Sequence, residues 1–183
     1  PDKLMQKLFK TTTLQDAFGC NFNILIAGMP RVMGVREILQ EWTAWRTECV
    51  RRRLYFQMNK KKDKLHLLKG LGRILLDIDK AIAIIRETEL DAEVVPNLMI
   101  GFGIDQIQAE YVAEIKLRNI NKEFILNRLK ETESLEKEIA ELEATLGSEE
   151  KVQALICKEL EQVAQKYGKE RKTTLVYDHE LQQ

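Results

Sequence analysis

The sequence predicts a mainly α-helical protein in which a long antiparallel coiled-coil arm carries a small helical head at its tip, with a small β-hairpin near the N-terminus. Two stretches, 35–65 and 121–147, place apolar residues at alternating steps of three and four, which is typical of one helical face. These stretches carry opposite charge, and a more uniformly apolar segment separates them. A single compact bundle folded back on itself remains the alternative.

The first regular pattern along the chain favours a β-hairpin. Phe22, Ile24 and Ile26 stand at every second position, the stretch Gly28-Met29-Pro30 marks a turn, and a second short run covers 31–33. So small a sheet is not stable alone, so we expect it to lean on helices or on strands outside this chain.

A long helix is predicted to start at Val35 and to form the outgoing half of the arm. No proline or glycine interrupts the chain until Gly70. At about 1.5 Å per residue, the helix reaches on the order of 45 Å before Leu65. Its inner face, the outgoing half of the arm seam, is predicted to contain Ile38, Trp42, Trp45 and Cys49.

The next segment, 66–120, is predicted to be a helical head. Its apolar residues occupy more than one helical face, which indicates deeper burial. The most regular of them are Leu68, Leu71, Leu75, Ile78, Ile82 and Ile85. We expect the chain to break around Pro96 and at the turn 101–103. Asp105 and Gln108 have the spacing of a capping box, so a further helix should begin there. Its inner stripe is predicted to contain Ile107, Tyr111 and Ile115.

The returning helix is predicted to end at Gly147. Its half of the arm seam is predicted to include Ile139, Leu142 and Leu146. Ser148 should cap one more helix, which Gly168 should end. The tail run 173–177 has the composition of an additional strand.

Charge favours the pairing of the two long helices. Between 46 and 64, eight basic residues stand against two acidic ones, a net charge of +6. Between 131 and 150, eight glutamates stand against one lysine, a net charge of −7. An exposed ion pair contributes only about 0 to 1 kcal/mol, so we expect seam burial to supply the stability and charge to select the partner.

Composition excludes several classes of function. The 29 basic and 29 acidic residues cancel, which excludes a uniformly polycationic protein. The three cysteines and two histidines do not have the spacing of metal ligands. The cysteines are widely spaced and odd in number, which indicates reduced intracellular thiols. No apolar run approaches the roughly 20 residues of a membrane-spanning helix, so a cytoplasmic protein without a membrane partner is predicted. No acid–base pair, nucleophile or phosphate-binding loop is recognisable, so no catalytic residue and no cofactor are predicted in this chain.

Several short motifs resemble one family when they are taken in order. The stretch 13–19 is similar to S-L-Q-x-x-F-G, 28–32 to G-x-P-K-V, and 50–53 to V-T-R-R. The stretches 66–71 and 167–173 are similar to H-I-L-E-G-L and Y-G-D-E-R-R-T. Their shared order and spacing resemble the A subunit of the bacterial type IIA DNA topoisomerases, DNA gyrase and topoisomerase IV. The stretch 111–123 departs from the family's A-I-L-D-M-R-L-Q-R-L-T-G-L-E, and only Arg118 stands near its expected place there.

The resemblance implies a domain organisation along the chain. It predicts the end of a tower-like, β-containing region at 1–34, an outgoing arm helix at 35–65, an exit-gate head at 66–120, a returning arm helix at 121–147, and a base helix with a C-terminal strand or tail at 148–183. The gate would pair two A subunits and release the transported duplex. Candidate dimer contacts are Leu68, Leu71, Tyr111, Ile115 and Arg118.

The resemblance also implies the partners and cofactors of the whole enzyme. These are double-stranded DNA, a second copy of the A subunit, the ATPase B subunit, Mg and ATP. The cleaving tyrosine of the family lies before this segment, so we assign no nucleophilic role to Tyr55, Tyr111, Tyr167 or Tyr177, and we predict the isolated segment to be inactive.

Clustered cations on the outgoing helix are the candidate DNA contacts. Arg51, Arg52 and Arg53 could attract phosphates, whereas the lysines at 60–62 are interpreted as a solvated face opposite the acidic helix. An unrelated coiled-coil adaptor or scaffold is the alternative function. It would explain the arm but not the hairpin motifs.

Overall fold

The computed structural model describes residues 2–175, and the mainly α-helical fold with one hairpin is confirmed. The elements are α1 (Asp2–Thr11), β1 (Asn23–Ile26), β2 (Met29–Val32), α2 (Val35–Leu75), α3 (Ile78–Glu87), α4 (Val94–Phe102), α5 (Gln106–Ala113), α6 (Lys122–Leu146) and α7 (Glu149–Tyr167). The chain divides into two compact units, Pro1–Trp45 and Arg46–Gln183. None of the helices within residues 2–175 is long and apolar enough to cross a membrane.

The predicted hairpin is present in the first unit. Its strands are antiparallel, with Asn23 opposite Val32 and Ile26 opposite Met29. Ala27 and Gly28 form the two-residue turn with φ angles of +51° and +80°. Two successive positive φ angles are characteristic of the type I′ turn, whose twist matches that of the strands.

The first unit buries none of the side chains that the structure describes between residues 2 and 45. Large apolar side chains are instead open to solvent along α1, the segment 12–22, the hairpin and the first turns of α2. The most exposed of these are Phe18, Val32, Leu25, Leu4, Leu14 and Met29. On β1, alternate residues are half-buried, and a two-stranded sheet with so little cover is only marginally stable in water.

In the second unit, α2 lies beside α6 and α7. The cluster of Val50, Leu54, Val152 and Ile156 is buried, and Leu142 and Leu146 pack against it. Further along α2, Leu68 and Leu71 pack with Leu135. As the residue number increases along α2, the number of the contacting residue on α6 decreases. The two helices are therefore antiparallel, as predicted. The limit predicted at residue 65 between arm and head lies inside α2, which continues to Leu75.

The head consists of α3, α4 and α5 with the last turns of α2. Its buried core contains Ile74, Ala81, Leu98, Ile104 and Ala109. The chain leaves the helical conformation after Glu87 and again at Gly103, which has a left-handed φ of +62°. The break expected around Pro96 is wrong, because this proline occupies the first turn of α4, where its missing N–H would have had no helical partner.

Side-chain caps begin four of the helices in the second unit. Asp77, Asp105, Asn121 and Ser148 each accept a hydrogen bond from the backbone N–H three residues later. The capping box of Asp105 and Gln108 and the helix ends at Gly147 and Gly168 are confirmed. Residues 173–175 contain no strand, and the rest of the predicted tail strand lies outside the described residues.

The stripe predicted for α5 is wrong at one position. Ile107 is 63% exposed, whereas Gln108 and Ala109 are buried. Tyr111 and Ile115 do pack inward, against the cluster of Leu68, Leu71 and Leu135. Gln108 is buried in place of Ile107 because its side chain forms a hydrogen bond with the backbone of α2.

Candidate interaction surfaces of the arm and head

Ion pairs join the basic face of α2 to the acidic face of α6. Lys62 pairs with Glu143 at 2.6 Å and Lys69 with Glu136 at 3.1 Å. Two further contacts link Lys61 to Glu138 and Lys64 to Glu131. The predicted attraction between the oppositely charged stretches is therefore realised as side-chain pairs along the arm. These groups are partly or fully exposed, so the pairs add little to stability and mainly favour one alignment of the helices.

Two of these glutamates have a lowered pKa. The hydrogen bond from Lys64, followed by that from Arg128 at 2.5 Å, holds the pKa of Glu131 below its usual value. For Glu138, the hydrogen bonds from Lys61 and then from Ser134 lower the pKa in the same way. Both shifts reflect stabilisation of the ionised carboxylate by the folded arm.

The three arginines that were predicted to contact DNA have different surroundings in the structure. Arg53 pairs with Glu159 of α7, which also accepts a hydrogen bond from Arg46 at 2.9 Å. Arg52 is exposed, and its guanidinium donates to the sulfur of Cys49 at 3.4 Å. Arg51 is half-buried, and its Nε has no hydrogen-bond partner in the described part of the chain. Arg53 is thus neutralised inside the chain, and Arg52 presents its charge to solvent.

Between residues 46 and 65, the buried residues of α2 are Val50, Leu54 and Met58. On α6, the predicted seam residues Ile139, Leu142 and Leu146 are buried or half-buried. Cys49 is half-buried beside Val50. The seam predicted from sequence did not include these three α2 residues. They are four residues apart in the sequence, and a seam moved by one residue, from Cys49 to Val50, would have contained them.

The other predicted seam residues lie in the first unit. Ile38, Trp42 and Trp45 line a groove of about 640 Å³ together with the hairpin residues 24–27. Trp42 is 38% exposed and Trp45 is 57% exposed. Their participation in the arm seam therefore stays a prediction.

The candidate gate residues separate into interior and surface positions. Leu68 and Leu71 are 4% and 1% exposed, so their side chains are used within the chain and are not available to a second chain in this structure. Tyr111 and Ile115 are half-buried against them, and Arg118 is exposed in a 3₁₀ turn at 117–119. The sequence reasoning also missed the strongly exposed apolar side chains of the head. These are Leu76 at 88%, Ile100 at 83% and Leu117 at 75%.

A hydrogen-bonded junction fastens α5 to α2 where arm meets head. The Nε2 of Gln108 donates to the backbone oxygen of His66 at 2.7 Å, and its Oε1 accepts from the backbone N–H of Asp105 at 3.2 Å. The Asp105 carboxylate accepts the N–H of Gln108 at 2.9 Å and contacts Nε2 of His66. The Gln108 N–H and then the His66 contact lower the pKa of Asp105. His66 is thus a structural residue of this junction.

Metal-ligand chemistry is not supported by the described side chains. Between residues 2 and 175, no three His, Cys, Asp or Glu side chains converge as metal ligands would. The three cysteines are free thiols, two of them exposed.

Comparison with known proteins gives a consistent result. The family model for the A subunit of DNA gyrase/topoisomerase IV matches residues 1–161. The chain is 40% identical over 175 residues to the A subunit of DNA topoisomerase 4 from Salmonella typhimurium, covering 95% of this chain and 23% of that protein. The corresponding Escherichia coli protein gives the same identity and coverage. The A subunit of DNA gyrase from Clostridium acetobutylicum is 36% identical, covering 94% of this chain and 21% of that protein.

These matches have two consequences. They contradict the alternative of an unrelated adaptor or scaffold, because they extend over nearly the whole chain. The chain also spans less than a quarter of the length of these relatives.

Proposed function

Because this chain belongs to the family of DNA gyrase/topoisomerase IV A subunits, we propose that it forms the coiled-coil arm and the exit-gate head of a type IIA DNA topoisomerase. In this proposal, the heads of two A subunits meet, and their separation releases a transported DNA duplex. The single observation that carries the proposal is the antiparallel arm with a separately packed helical head at its end.

The arm supports this function because it combines a buried seam with a row of ion pairs. A fully buried leucine or valine contributes about 1.5–3 kcal/mol, several times the contribution of an exposed ion pair. Val50 and Leu54 therefore hold the arm together, while the lysine–glutamate pairs favour one alignment of the helices. A firmly packed arm can transmit movement of its base to the head.

We place the contact between the two heads on the segment 111–118. Leu117 and Arg118 are exposed there, and Tyr111 and Ile115 are half-buried on the cluster beneath. Arginine and tyrosine are enriched in protein interfaces, and the exposed leucine adds apolar area that a partner would bury. Leu68 and Leu71 support this surface from inside the head.

The first unit is proposed to be part of a larger tower-like domain of the whole subunit. Its large apolar side chains are exposed between residues 2 and 45, and its hairpin has no further strand beside it among the described residues. In the whole subunit, other segments would cover this apolar surface. Leu25, Trp42 and Trp45 beside the groove are the side chains that such segments would bury.

DNA cleavage, ATP hydrolysis and Mg binding are assigned to other parts of the whole enzyme. The arm and the head are proposed to act by pairing, moving and separating. The proposed partners are a second copy of the A subunit, duplex DNA and the ATPase B subunit. The chain alone is expected to be inactive.

Sedimentation equilibrium tests the dimeric gate. We expect this chain to be a dimer in the micromolar range, and we expect Leu117→Glu to shift it to monomer because the acidic side chain would be desolvated at the interface. Val163→Glu, at a residue of α7 that is 52% exposed, is the matched control and should leave the dimer intact. A monomer at all micromolar concentrations, or an unchanged dimer in Leu117→Glu, would contradict the proposed gate.

A second experiment tests the activity of the whole protein. The full-length A subunit, mixed with its ATPase partner, ATP and Mg, is expected to change the linking number of a circular plasmid. Omission of ATP should abolish ATP-driven strand passage. A complete absence of topological change with both subunits and ATP would contradict the proposed function.

A further inference from the structure

One face of α2 in the middle of the arm is not used by the arm itself. Arg52, Phe56 and Lys60 are spaced by four residues, and each lies two positions from the buried residues Leu54 or Met58. At about 100° per residue, two positions correspond to roughly 200°, so this face points away from the seam. We call Arg52, Phe56 and Lys60, with the adjoining Tyr55, the arm strip.

The arm strip holds cations that the arm leaves without an acidic partner. Of the eight basic residues between 46 and 64, five pair with glutamates of α6 or α7. Arg52 and Lys60 make no ion pair with any side chain in residues 2–175. The arm strip therefore keeps its positive charge, while the positive charge nearer the seam is neutralised.

The aromatic residues of the arm strip are also exposed. Tyr55 is 52% exposed and Phe56 is 60% exposed, although both rings are large and apolar. The ammonium group of Lys60 lies 4.7 Å from the centre of the Phe56 ring, which keeps the cation on this face. Side chains of arginine, lysine and tyrosine are among those that contact phosphate oxygens in protein–DNA complexes, and an exposed ring offers apolar surface to a sugar.

We propose that the arm strip contacts the sugar–phosphate backbone of duplex DNA while the duplex is on its way to the exit gate. This inference rests on the proposed function, since it needs a duplex beside the arm. Arg52 and Lys60 are eight residues apart, or about 12 Å along the helix. A duplex carries one phosphate per about 3.4 Å of its axis on each strand, so a separation of this size allows the two cations to contact separate phosphates.

The contact is independent of base sequence and transient. It consists of two charge contacts to phosphates and one apolar contact to sugar, and it includes no group that reads a base edge. Two phosphate contacts give only modest affinity, which suits a duplex that has to pass and leave. Toward α6, the lysines of α2 are paired with glutamates, so that side of the arm offers less unpaired positive charge to a duplex.

Photocrosslinking tests the position of the duplex. In the full-length protein, a photoreactive phenylalanine analogue is placed at position 56 and, as the control, at position 62, whose lysine pairs with Glu143. With the ATPase partner, plasmid DNA and a nonhydrolysable ATP analogue, we expect several-fold more protein–DNA adduct at position 56 than at position 62. Equal adduct at both positions, or adduct only to protein at position 56, would overturn the inference.

Charge removal gives an independent readout. Arg52→Gln with Lys60→Gln removes two phosphate contacts, so the ratio of strand-passage rates at 50 and 200 mM salt should fall by about tenfold. Arg53→Gln with Lys62→Gln removes the same charge from groups that are paired within the arm and should change this ratio much less. An equal effect of both double variants would overturn the inference. If the unsubstituted enzyme shows no strand passage at all, the proposed function itself fails, and the two failures are thereby distinguished.

Discussion

At the scale of single residues, the contact between Gly70 and Gln108 decides how the head is attached to the arm. A β-carbon added at Gly70 would lie 2.6 Å from the β-carbon of Gln108 and 2.7 Å from its γ-carbon. These atoms are close to the backbone of α5, so they cannot move aside without moving the helix. Gly72, in the same helix, has open space where its β-carbon would be.

We predict that Gly70→Ala destabilises the chain and that Gly72→Ala stabilises it. Overpacking at Gly70 costs about 1–3 kcal/mol, whereas alanine in place of an uncrowded helical glycine gains about 0.5–1 kcal/mol. Urea unfolding monitored by circular dichroism measures both changes. Equal stability of the two variants would show that α5 does not pack on α2 at Gly70.

Residue identity alone could not have predicted which side chain of α5 is buried. Ile107 is apolar and has the expected spacing, yet it is exposed, while the polar Gln108 is 7% exposed. Burial of Gln108 is favourable because its amide finds both the carbonyl of His66 and the N–H of Asp105. These partners come from α2 and from a cap, so only the three-dimensional structure reveals them. The capping box itself was predictable, because it depends on local sequence.

At the scale of elements, the buried residues of α2 define the alignment of the arm. We predict that Leu54→Ala costs about 2–5 kcal/mol, since it removes buried methyl groups and leaves a cavity. Cys49→Ala, at a half-buried neighbour, should cost less than about 1 kcal/mol. Urea unfolding of the two variants compares them directly. A larger loss for Cys49→Ala would support the seam inferred from sequence over the one in the structure.

The pairing of the long helices was predictable from charge, but the phase of their seam was not. The net charges of +6 and −7 on the two stretches can be counted from the sequence without any knowledge of the tertiary structure. The face of a helix, by contrast, turns by about 100° at each residue, so a shift from Cys49 to Val50 changes which side chains meet. Leu54, Tyr55 and Phe56 are all apolar, and only contact with α6 and α7 selects Leu54 for burial.

The lowered pKa values of Glu131 and Glu138 predict acid sensitivity of the arm. Both folded pKa values lie below the usual 4.5, so the unfolded chain binds these protons first as pH falls. Their contribution to stability is fully present above pH 4.5 and is lost as the pH falls through the lower folded values. Glu131→Gln with Glu138→Gln should therefore lower stability above this window and have no effect below it.

Urea unfolding at several pH values measures this difference. Glu133→Gln is the control, because Glu133 is exposed and makes no ion pair within residues 2–175. High salt should shrink the difference at neutral pH, since these groups are partly exposed and therefore screened. A difference that persists unchanged in strong acid would exclude ionisation of these glutamates as its cause.

At the scale of the whole molecule, the two units differ in the means by which they are stabilised. The second unit contains three buried clusters, which join α2 to α6, to α7 and to the head. The first unit contains no buried side chain among residues 2–45. Folding requires buried apolar area to offset the loss of chain entropy, so only the second unit meets this requirement within the chain.

We predict that residues 46–175 fold by themselves and that residues 2–45 do not. The shorter fragment lacks a core, and its hairpin has only two strands, so no buried surface compensates for ordering the chain. Circular dichroism and limited proteolysis of the two fragments measure the difference, with the full chain as the reference. The fragment 46–175 should give a cooperative thermal transition and resist proteolysis, while 2–45 should be digested rapidly. A cooperative transition in 2–45 alone would contradict the proposal that other segments of the whole protein complete the first unit.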